Sequence, residues 1–387
     1  MTNGAESHGG FGTVVLFPSS SGMGGMEAHV VQLARGLRQR GIPVAAICST
    51  QNDLRPLRDD LEAAGATVHA LGTRDGSIAG VLRRTRSLVA TLRRYPGFVL
   101  HMHYGGYGGG ELVQLAARLA GARAIVRTEH VPPVPPITNL GRILVQARDR
   151  FLSRVICVSD QNRHEHLAVL GRDERRCVVV HNGVDLKRFS PSVSGSGVAR
   201  ELGFAEDAPI VGTIARLVER RKGINYFLEM AARVRAADPA VRFVVVGEGA
   251  LRQELEELAR TLGLSDAIVF TGARHDVPRL LAAMSVFVMP SLYEGCQYSL
   301  LEAMAMGRPI VATPAGVAPV AVQDGITGLS VPFEDAGALA RAVRTLLADP
   351  GLASRLGRGG HDLIVSRFSL DSMVDGVLGV YRGALRG

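Results

Sequence analysis

Short runs of apolar residues alternate with amphipathic stretches along almost the whole chain. Val286–Met289 and Ile210–Ile214 are typical apolar runs, while residues 27–40, 222–235 and 252–262 have the apolar periodicity of helices. Short continuous apolar runs are typical of parallel strands buried on both faces, and their alternation with helices predicts an α/β fold with doubly wound parallel sheets. We predict strands at residues 13–17, 44–49, 98–103, 124–128, 155–159, 178–180, 210–214, 243–246, 268–270, 286–289 and 310–312.

A small polar segment, Pro-Ser-Val-Ser-Gly-Ser-Gly at residues 191–197, lacks core residues and is the best candidate for a linker. It predicts an N-terminal Rossmann-like domain at 1–190 and a second one at 198–368, with the ligand cleft between them. A length of 387 residues with 47% hydrophobic residues is sufficient for two large cores.

Composition narrows the class of protein. No apolar run approaches the ~18–20 residues of a membrane span, and the polar first ten residues lack a signal-peptide core. The four cysteines have no metal-ligand spacing, which fits a reducing compartment, so we expect a cytoplasmic protein. Nucleic acid is not an expected partner, because tryptophan is absent and no zinc-finger, RRM or helix-turn-helix pattern occurs.

The excess positive charge lies in the first half of the chain. Residues 1–185 carry 22 basic and 15 acidic residues, whereas residues 186–387 carry 22 and 21. Five arginines cluster on a predicted helix beside Leu82, Leu88, Val89 and Leu92; they are Arg83, Arg84, Arg86, Arg93 and Arg94. This pattern fits an anionic membrane surface, on which the protein would be peripheral, a phosphate-rich acceptor, or a solvated arginine face.

Two carboxylates carry the most specific chemistry. Glu294 follows the apolar run Val286–Met289, and Glu302 comes after seven intervening residues, in the predicted first turn of the next helix. The carboxyl end of a strand and the helix N-terminus after it are where open α/β sheets bind ligands. Ser299-x-x-Glu302 is also a capping box, which needs no ligand.

A basic loop supplies the opposite charge. Arg216 and Lys222 follow the run Ile210–Ile214, and Gly223 comes next at a predicted helix start. Lysine occurs at only two of the 44 basic positions, so its placement here is selective. A lysine and an arginine at a helix N-terminus can hold a diphosphate, although a solvated basic loop is the alternative. An extra arginine in this loop, Arg220 or Arg221, leaves open which of the loop residues faces inward.

Glycines and histidines mark the carboxyl ends of two strands in the first half. Gly24 and Gly25 lie in a turn after the first strand, where backbone N–H groups can approach a phosphate or sugar. Gly-x-Gly-x-x-Gly is absent, which disfavours a dinucleotide site. Period-2 alternation puts His101 and His103 on one face of the strand predicted at 98–103, with His103 nearer the carboxyl end and before a glycine-rich turn.

The segment from Glu294 to Glu302, with its tail Glu-Ala-Met-Ala-x-Gly-Arg-Pro-x-Val-Ala, resembles the Glu-x7-Glu signature of retaining glycosyltransferases of family 4. The resemblance extends from about residue 12 to about 333. It implies the GT-B fold, a final helix at 369–387 that crosses back to the first domain, and transfer of a sugar from a UDP- or GDP-sugar to a glycan, glycolipid or small-molecule hydroxyl. Metal-dependent GT-A enzymes use an Asp-x-Asp triplet, which this chain lacks, so we expect no metal and no cofactor.

The resemblance also implies roles for individual residues. The catalytic residues it implies are His103, Glu294, Arg216 and Lys222. The donor-binding residues are Gly24, Gly25, Arg216, Lys222, Gly272, Arg274, Glu294, Gly295, Cys296, Gln297, Tyr298, Ser299 and Glu302. On the acceptor side it implies Glu129 and His130.

Two departures from the family pattern affect the donor side. Many members have Glu-Gly-Phe-Gly where this chain has Glu-Gly-Cys296-Gln297, and many have Gly-x-Pro-Glu after the next strand where it has Gly316-Val-Ala-Pro319-Val320. Two other functions also fit the sequence: a nucleotide-sugar epimerase of similar fold, which needs no acceptor, and a non-catalytic nucleotide-sugar-binding protein.

Overall fold

A computed structural model describes residues 12–20, 22–50, 54–72, 77–133 and 136–386. The chain forms two compact units. Unit 1 comprises Met1–Gly183 and Leu370–Gly387, and unit 2 comprises Val184–Ser369. Each unit has its own parallel sheet and its own hydrophobic core. None of the helices in these described ranges has the length and apolar character needed to cross a bilayer.

Unit 1 is built on a seven-stranded parallel sheet in the order β3-β2-β1-β4-β5-β6-β7. The strand order reverses between β1 and β4, which are hydrogen-bonded neighbours in register from Val14 opposite Val99 to Ser19 opposite Tyr104. The strands are β1 Val14–Ser19, β2 Val44–Ser49, β3 Thr67–Leu71, β4 Val99–Tyr104, β5 Ala124–Glu129, β6 Arg154–Cys157 and β7 Cys177–Val179.

Helices cover both faces of this sheet, and the last helix of the chain is one of them. The helices are α1 Gly25–Gln39, α2 Arg55–Ala63, α3 Ile78–Leu92, α4 Glu111–Leu119, α5 Asn139–Asp149, α6 Asp160–Leu170 and, from the C-terminus, α15 Leu370–Arg386. Met373, Val374 and Tyr381 of α15 are buried in the same core as β1 and α1. A Cβ on Gly36 would lie 2.4 Å from Val374, so α1 and α15 pack closely.

Unit 2 has a six-stranded parallel sheet in the order β10-β9-β8-β11-β12-β13, with its switch point between β8 and β11. The strands are β8 Ile210–Ile214, β9 Arg242–Val246, β10 Ile268–Gly272, β11 Val286–Met289, β12 Ile310–Ala312 and β13 Leu329–Ser330. The helices are α7 Val198–Glu201, α8 Ile224–Ala237, α9 Arg252–Thr261, α10 Val277–Ala283, α11 Tyr298–Ala305, α12 Ala318–Ala321, α13 Ala336–Ala348 and α14 Pro350–Arg367.

The change of unit falls at Gly183/Val184 and again at Ser369/Leu370, not in the expected linker at 191–197. Those seven residues belong to unit 2. Val193 packs against its core, and a Cβ on Gly195 would lie only 2.5 Å from the backbone nitrogen of Ala283. Small polar residues therefore mark a close backbone approach here, rather than a flexible connection.

Candidate active site

Two loops meet at the carboxyl edge of the unit 2 sheet, at its switch point. One loop, residues 215–223, follows β8, and the other, residues 290–297, follows β11. Because β8 and β11 are neighbours at the point where the strand order reverses, their carboxyl ends lie side by side, at the usual ligand position of such sheets.

Glycine fixes the basic loop against the end of β11. Gly223 has a φ of 67°, and a Cβ there would lie 2.0 Å from the carbonyl oxygen of Pro290. The backbone N–H of Leu292 also donates to the carbonyl oxygen of Arg221 at 2.8 Å. A side chain at position 223 would separate the two loops. This glycine therefore allows Lys222, which precedes it, to lie next to the loop at 290–297.

Glu294 is the centre of this site. Its side chain is 9% exposed and accepts hydrogen bonds from Lys222 Nζ at 2.5 Å, Arg221 Nη1 at 3.1 Å and Ser291 Oγ at 3.2 Å. Arg221 is thus the inward-facing arginine, whereas Arg220 pairs with exposed Glu254 on the surface. Arg221 also pairs with Glu219 at 2.5 Å, so the two cations around buried Glu294 are matched by two carboxylates, and an anionic ligand would compete with these for the cations.

Arg216 lies in the same loop, directly after β8, and is exposed. Within the described ranges its side chain makes no hydrogen bond or ion pair. Its guanidinium group is therefore available to an anion, as the diphosphate prediction requires. Lys222, in contrast, is already held by Glu294 and would exchange or share that partner when an anion binds.

Glu302 does not cap a helix. Helix α11 begins at Tyr298 with Gln297 at its N-cap, no side chain makes a capping hydrogen bond, and Glu302 is the fifth helical residue. The capping-box interpretation is therefore wrong, and so is its placement in the first turn. Burial raises the pKa of Glu302 to about 7, against a smaller opposing effect of Arg188. No side-chain hydrogen bond to another described residue stabilises its ionised form.

We expect Glu302→Gln to stabilise the unliganded protein at high pH. Because the folded-state pKa is raised, the wild type loses stability as pH rises from about 4.5 to about 7, where Glu302 ionises in the folded protein, and glutamine avoids this loss. Denaturation at pH 5 and pH 8 should show a relative gain of about 1–3 kcal/mol at pH 8. An equal loss of stability at both pH values would instead indicate a capping or packing role.

Two of the side chains predicted to bind the donor already form hydrogen bonds or ion pairs with other groups of the protein. Gln297 is buried, its Nε2 donates to the Ala315 carbonyl at 3.0 Å, and its Oε1 accepts from the Val317 N–H at 3.3 Å. Arg274 pairs with Asp276 at 2.7 Å and with Glu201 at 2.6 Å. These contacts do not support direct donor contacts by either side chain, since each would first have to leave its partners.

The remaining predicted donor residues of unit 2 line the same edge. Gly272 ends β10 with a φ of 73°, and its carbonyl oxygen accepts from the Gly247 N–H. Gly295 and Cys296 lie between Glu294 and α11, and Tyr298 and Ser299 begin that helix. Gly295 is buried, whereas Cys296, Tyr298 and Ser299 are half-buried.

The switch point of unit 1 holds a cluster of histidines. Gly24 is the N-cap of α1, Gly25 is the first residue of this helix, and His29 lies one turn further on. His103, near the end of β4, faces His130 with Nδ1 and Nε2 3.3 Å apart, while His29 Nδ1 lies 3.0 Å from Asn182 Oδ1. Gly24 has an extended φ of −173°, so backbone strain does not require glycine there.

These histidines are neutral at physiological pH. Burial, followed by the neighbouring His101, His29 and His130, holds the pKa of His103 well below 6.5. Burial likewise lowers the pKa of His29 to about 4, although its contact with Asn182 opposes the shift. His103 is fully buried, and its Nε2 atom has no hydrogen-bond partner among the described residues.

His29, His103 and His130 are also the group whose geometry comes nearest to a metal site in the described ranges. One ring nitrogen from each lies within 4.8 Å of the others. Tetrahedral zinc, with Zn–N bonds of 2.0–2.1 Å, needs nitrogens about 3.4 Å apart. The His103–His130 pair has this spacing, but the trio would have to contract to bind an ion.

His101 packs beside His103, and both of its ring nitrogens are hydrogen-bonded. It is fully buried, with Nδ1 2.6 Å from the Tyr381 hydroxyl and Nε2 2.7 Å from Thr128 Oγ1. Its ring centroid lies 4.1 Å from that of His103. His101 therefore links α15 and β5 to the histidine cluster.

The contacts of Glu129 do not support the acceptor-side role predicted for it. Its side chain is completely buried and forms ion pairs with Arg127 at 2.7 Å and Arg172 at 2.6 Å. Burial alone would raise the pKa of Glu129, but the two guanidinium groups outweigh it and hold this pKa well below its usual range. Arg127 in turn donates to the carbonyls of Gly106, Gly108 and Gly109, so Glu129 supports the glycine-rich turn after β4.

Similarity to known proteins shows which family this chain belongs to. Residues 23–188 match the family model of Glycosyltransferase Family 4, and residues 208–349 match that of Glycosyl transferases group 1. A D-inositol 3-phosphate glycosyltransferase of Kribbella flavida is 31% identical over 376 residues, covering 88% of this chain and 86% of that protein. This chain belongs to glycosyltransferase family 4.

Other proteins and solved structures are also similar to this chain. The alpha-D-kanosaminyltransferase of Streptomyces kanamyceticus is 29% identical over 84% of this chain and 86% of its own length. A glycosyltransferase from Rickettsia africae has a TM-score of 0.84 at 20% identity, covering 97% and 99% of the two chains. Anabaena HepE, solved with UDP-glucose, has a TM-score of 0.80 at 22% identity, covering 95% and 99%. These structures confirm the expected GT-B fold.

The family motifs did not indicate every residue of these sites. Sequence reasoning missed His29, which is a single helical residue without a local motif, and Arg172, whose partner Glu129 is 43 residues away in the chain. It also left open which arginine of the basic loop faces Glu294.

Proposed function

We propose that this enzyme transfers a sugar from a nucleoside diphosphate-sugar to a hydroxyl group, with retention of anomeric configuration and without a metal ion. The observation that carries the proposal is the contact of Lys222 and Arg221 with Glu294 at the switch point of unit 2. Fixed cations beside a carboxylate, together with the guanidinium of Arg216 in the same loop, which has no partner among the described residues, can bind a diphosphate and a sugar hydroxyl side by side.

In the proposed reaction, the bond between the anomeric carbon and the phosphate oxygen breaks, and its electron pair stays on the leaving diphosphate. Lys222 and Arg216 stabilise the charge that develops on this group. The acceptor hydroxyl attacks the same face of the sugar and gives its proton to the leaving phosphate oxygen, so no protein nucleophile is needed. Glu294 accepts a hydrogen bond from a donor-sugar hydroxyl, and a covalent sugar adduct on Glu294 would contradict this mechanism.

For the nucleotide we propose UDP, the nucleotide present in the solved HepE structures. Glu302 would accept hydrogen bonds from ribose hydroxyls, because its carboxylate lacks a partner within the described unit 2 residues. Release of nucleotide from UDP-, GDP- and ADP-sugars, measured with EDTA present, tests the donor and the metal independence together. Activity that EDTA abolishes and zinc restores would contradict the metal-free proposal.

Product analysis separates this function from its two rivals. An epimerase would convert the donor sugar without any acceptor, and a binding protein would release no nucleotide with any acceptor. The proposed transferase instead forms a new glycoside, and ¹H NMR of its anomeric proton should show the configuration of the donor. An inverted product would contradict retention.

We propose further that unit 1 contacts an anionic membrane, where the acceptor is a lipid-linked or membrane-bound glycan. Ten of the fifteen large apolar side chains that are exposed in the described residues lie on α3, α4 and α5 or just after α5. We call this set the apolar–basic face; its apolar members are Ile78, Val81, Leu82, Leu112, Leu115, Leu119, Leu140, Ile143, Leu144 and Phe151.

Charge complementarity supports an anionic lipid surface as the partner. Residues 78–151 contain eleven arginines but only three acidic residues, and two of these, Glu129 and Asp149, already pair with buried arginines. Exposed leucine and isoleucine next to arginine are typical of helices that lie in a membrane interface. Such a position for this enzyme would be peripheral, at the cytoplasmic surface of a membrane.

Vesicle sedimentation tests the apolar–basic face. We expect the protein to pellet with vesicles that contain phosphatidylglycerol, to bind less as salt is raised, and to lose most binding in Ile143→Ser/Leu144→Ser. Ile326→Ser, at a similarly exposed site in unit 2, is the matched control and should bind like the wild type. Equal binding to neutral phosphatidylcholine vesicles would overturn the proposal.

A further inference from the structure

A cavity of about 580 Å³ lies at the amino edge of the unit 1 sheet. Arg123, Ser153 and Arg176, which line it, directly precede β5, β6 and β7, so it is at the opposite edge from His103 and the glycine turns. Six of its ten lining residues are arginines: Arg118, Arg123, Arg150, Arg154, Arg175 and Arg176. We call it the arginine cavity.

The positive charge of the arginine cavity is largely uncompensated. Its lining contains one carboxylate, Asp173, which pairs with Arg175 at 3.1 Å and Arg176 at 3.8 Å. Arg118 and Arg154 make no ion pair with described residues and donate instead to backbone carbonyl oxygens, those of Phe151 at 2.9 Å and Ser153 at 2.8 Å. Carbonyl oxygens orient a guanidinium group without neutralising its charge.

Helix termini explain part of this arrangement. Strand N-termini and helix C-termini meet at this edge, and a cation near a helix C-terminus is stabilised by the partial negative charge there. This stabilisation explains the positions of Arg118 and Arg176, which donate to carbonyl oxygens at the end of α5 and just after it. It does not account for exposed Arg150, which has no side-chain partner in the described ranges, or for Arg175, which is 90% exposed.

We infer that the arginine cavity binds a multiply charged, phosphate-bearing anion. Guanidinium groups offer paired donors that match phosphate oxygens, and several of them directed into one cavity suit two phosphates or a phosphate monoester better than a single carboxylate. Exposed Leu119 and Phe151 follow Arg118 and Arg150 in the chain, so a phosphate-bearing lipid headgroup and a soluble polyphosphate are both sources of this chemistry.

Titration with inorganic pyrophosphate tests this site. Since the Lys222 site is itself proposed to hold a diphosphate, the titration uses Lys222→Ala protein, and the readout is binding rather than transfer. Adding Arg150→Gln/Arg175→Gln should weaken the remaining pyrophosphate binding at least about tenfold. The control Arg344→Gln/Arg355→Gln removes the same charge from exposed positions of unit 2 and should change it less than about twofold.

A second arm distinguishes the two sources. If the anion is a lipid headgroup, sedimentation with vesicles containing phosphatidic acid should fall in Arg150→Gln/Arg175→Gln but not in the control, while a soluble anion would give the pyrophosphate result alone. Failure of both arms, with the double variant equal to its control, overturns the inference. Neither result depends on sugar transfer, because Arg150 and Arg175 have no part in the proposed reaction.

Discussion

Replacement of Lys222 by alanine should lower kcat/KM for the nucleotide-sugar about 100- to 1,000-fold, the usual cost of removing one fixed donor to a developing charge. Lys222 holds Glu294 at 2.5 Å in the absence of ligand, and in the proposed reaction it stabilises the leaving diphosphate. Its removal therefore affects both the orientation of the carboxylate and the charge of the site. Initial rates of nucleotide release at several donor concentrations measure the effect.

The chain provides a matched control for this variant. Lys187 is its one other lysine and is exposed, so Lys187→Ala removes the same charge without touching the site, and its rates should stay within about twofold of the wild type. Similar losses in the two variants would show that overall charge, not the contact with Glu294, determines activity. An unchanged rate in Lys222→Ala would remove this residue from the mechanism.

The second large effect is expected for a substitution of buried Glu129, which should lower the stability of the protein. We expect Glu129→Gln to lower the free energy of unfolding by about 3–5 kcal/mol, because it leaves Arg127 buried without a counterion and removes one of the two carboxylates that pair with buried Arg172. The depressed pKa of Glu129 means that its contribution is present above about pH 4.5 and is lost only as pH falls further. Chemical denaturation at pH 7 measures the difference.

Glu174→Gln is the control for this loss. Glu174 pairs with Arg163 at 2.9 Å, but its side chain is 74% exposed, so the change should cost less than about 1 kcal/mol. If Glu129→Gln were equally mild and instead raised KM for an acceptor, the original acceptor-side assignment would be restored and the structural role proposed for this ion pair would be wrong.

The sequence predicted the fold well wherever strands are buried on both faces. Ile210–Ile214, Val286–Met289 and Ile310–Ala312 have the bounds that their apolar runs predicted. The sequence did not reveal β3 at Thr67–Leu71, where four of the five residues are exposed or half-buried, or the two-residue strand β13. A strand with an exposed face or only two residues has no continuous apolar run to identify it.

The candidate site was predictable in its residue types but not in its pairings. Spacing and rarity indicated Lys222 and Glu294, yet the selection of Arg221 over Arg220 follows from the left-handed backbone of Gly223 and its contact with Pro290. The sequence did not predict the burial of Glu129, because this burial depends on Arg172, a partner that no local pattern links to it. Long-range ion pairs of this kind appear only when the chain is folded.

The central claim is that Lys222 recognises the diphosphate of the donor, and the most direct measurement compares a nucleoside diphosphate with its nucleoside. Calorimetric titration of UDP and of uridine should be carried out on the wild type and on Lys222→Ala. We predict that the variant binds UDP at least about tenfold more weakly and binds uridine within about twofold of the wild type. Equal affinities of the two proteins for UDP, or an equal loss for both ligands, would contradict the account.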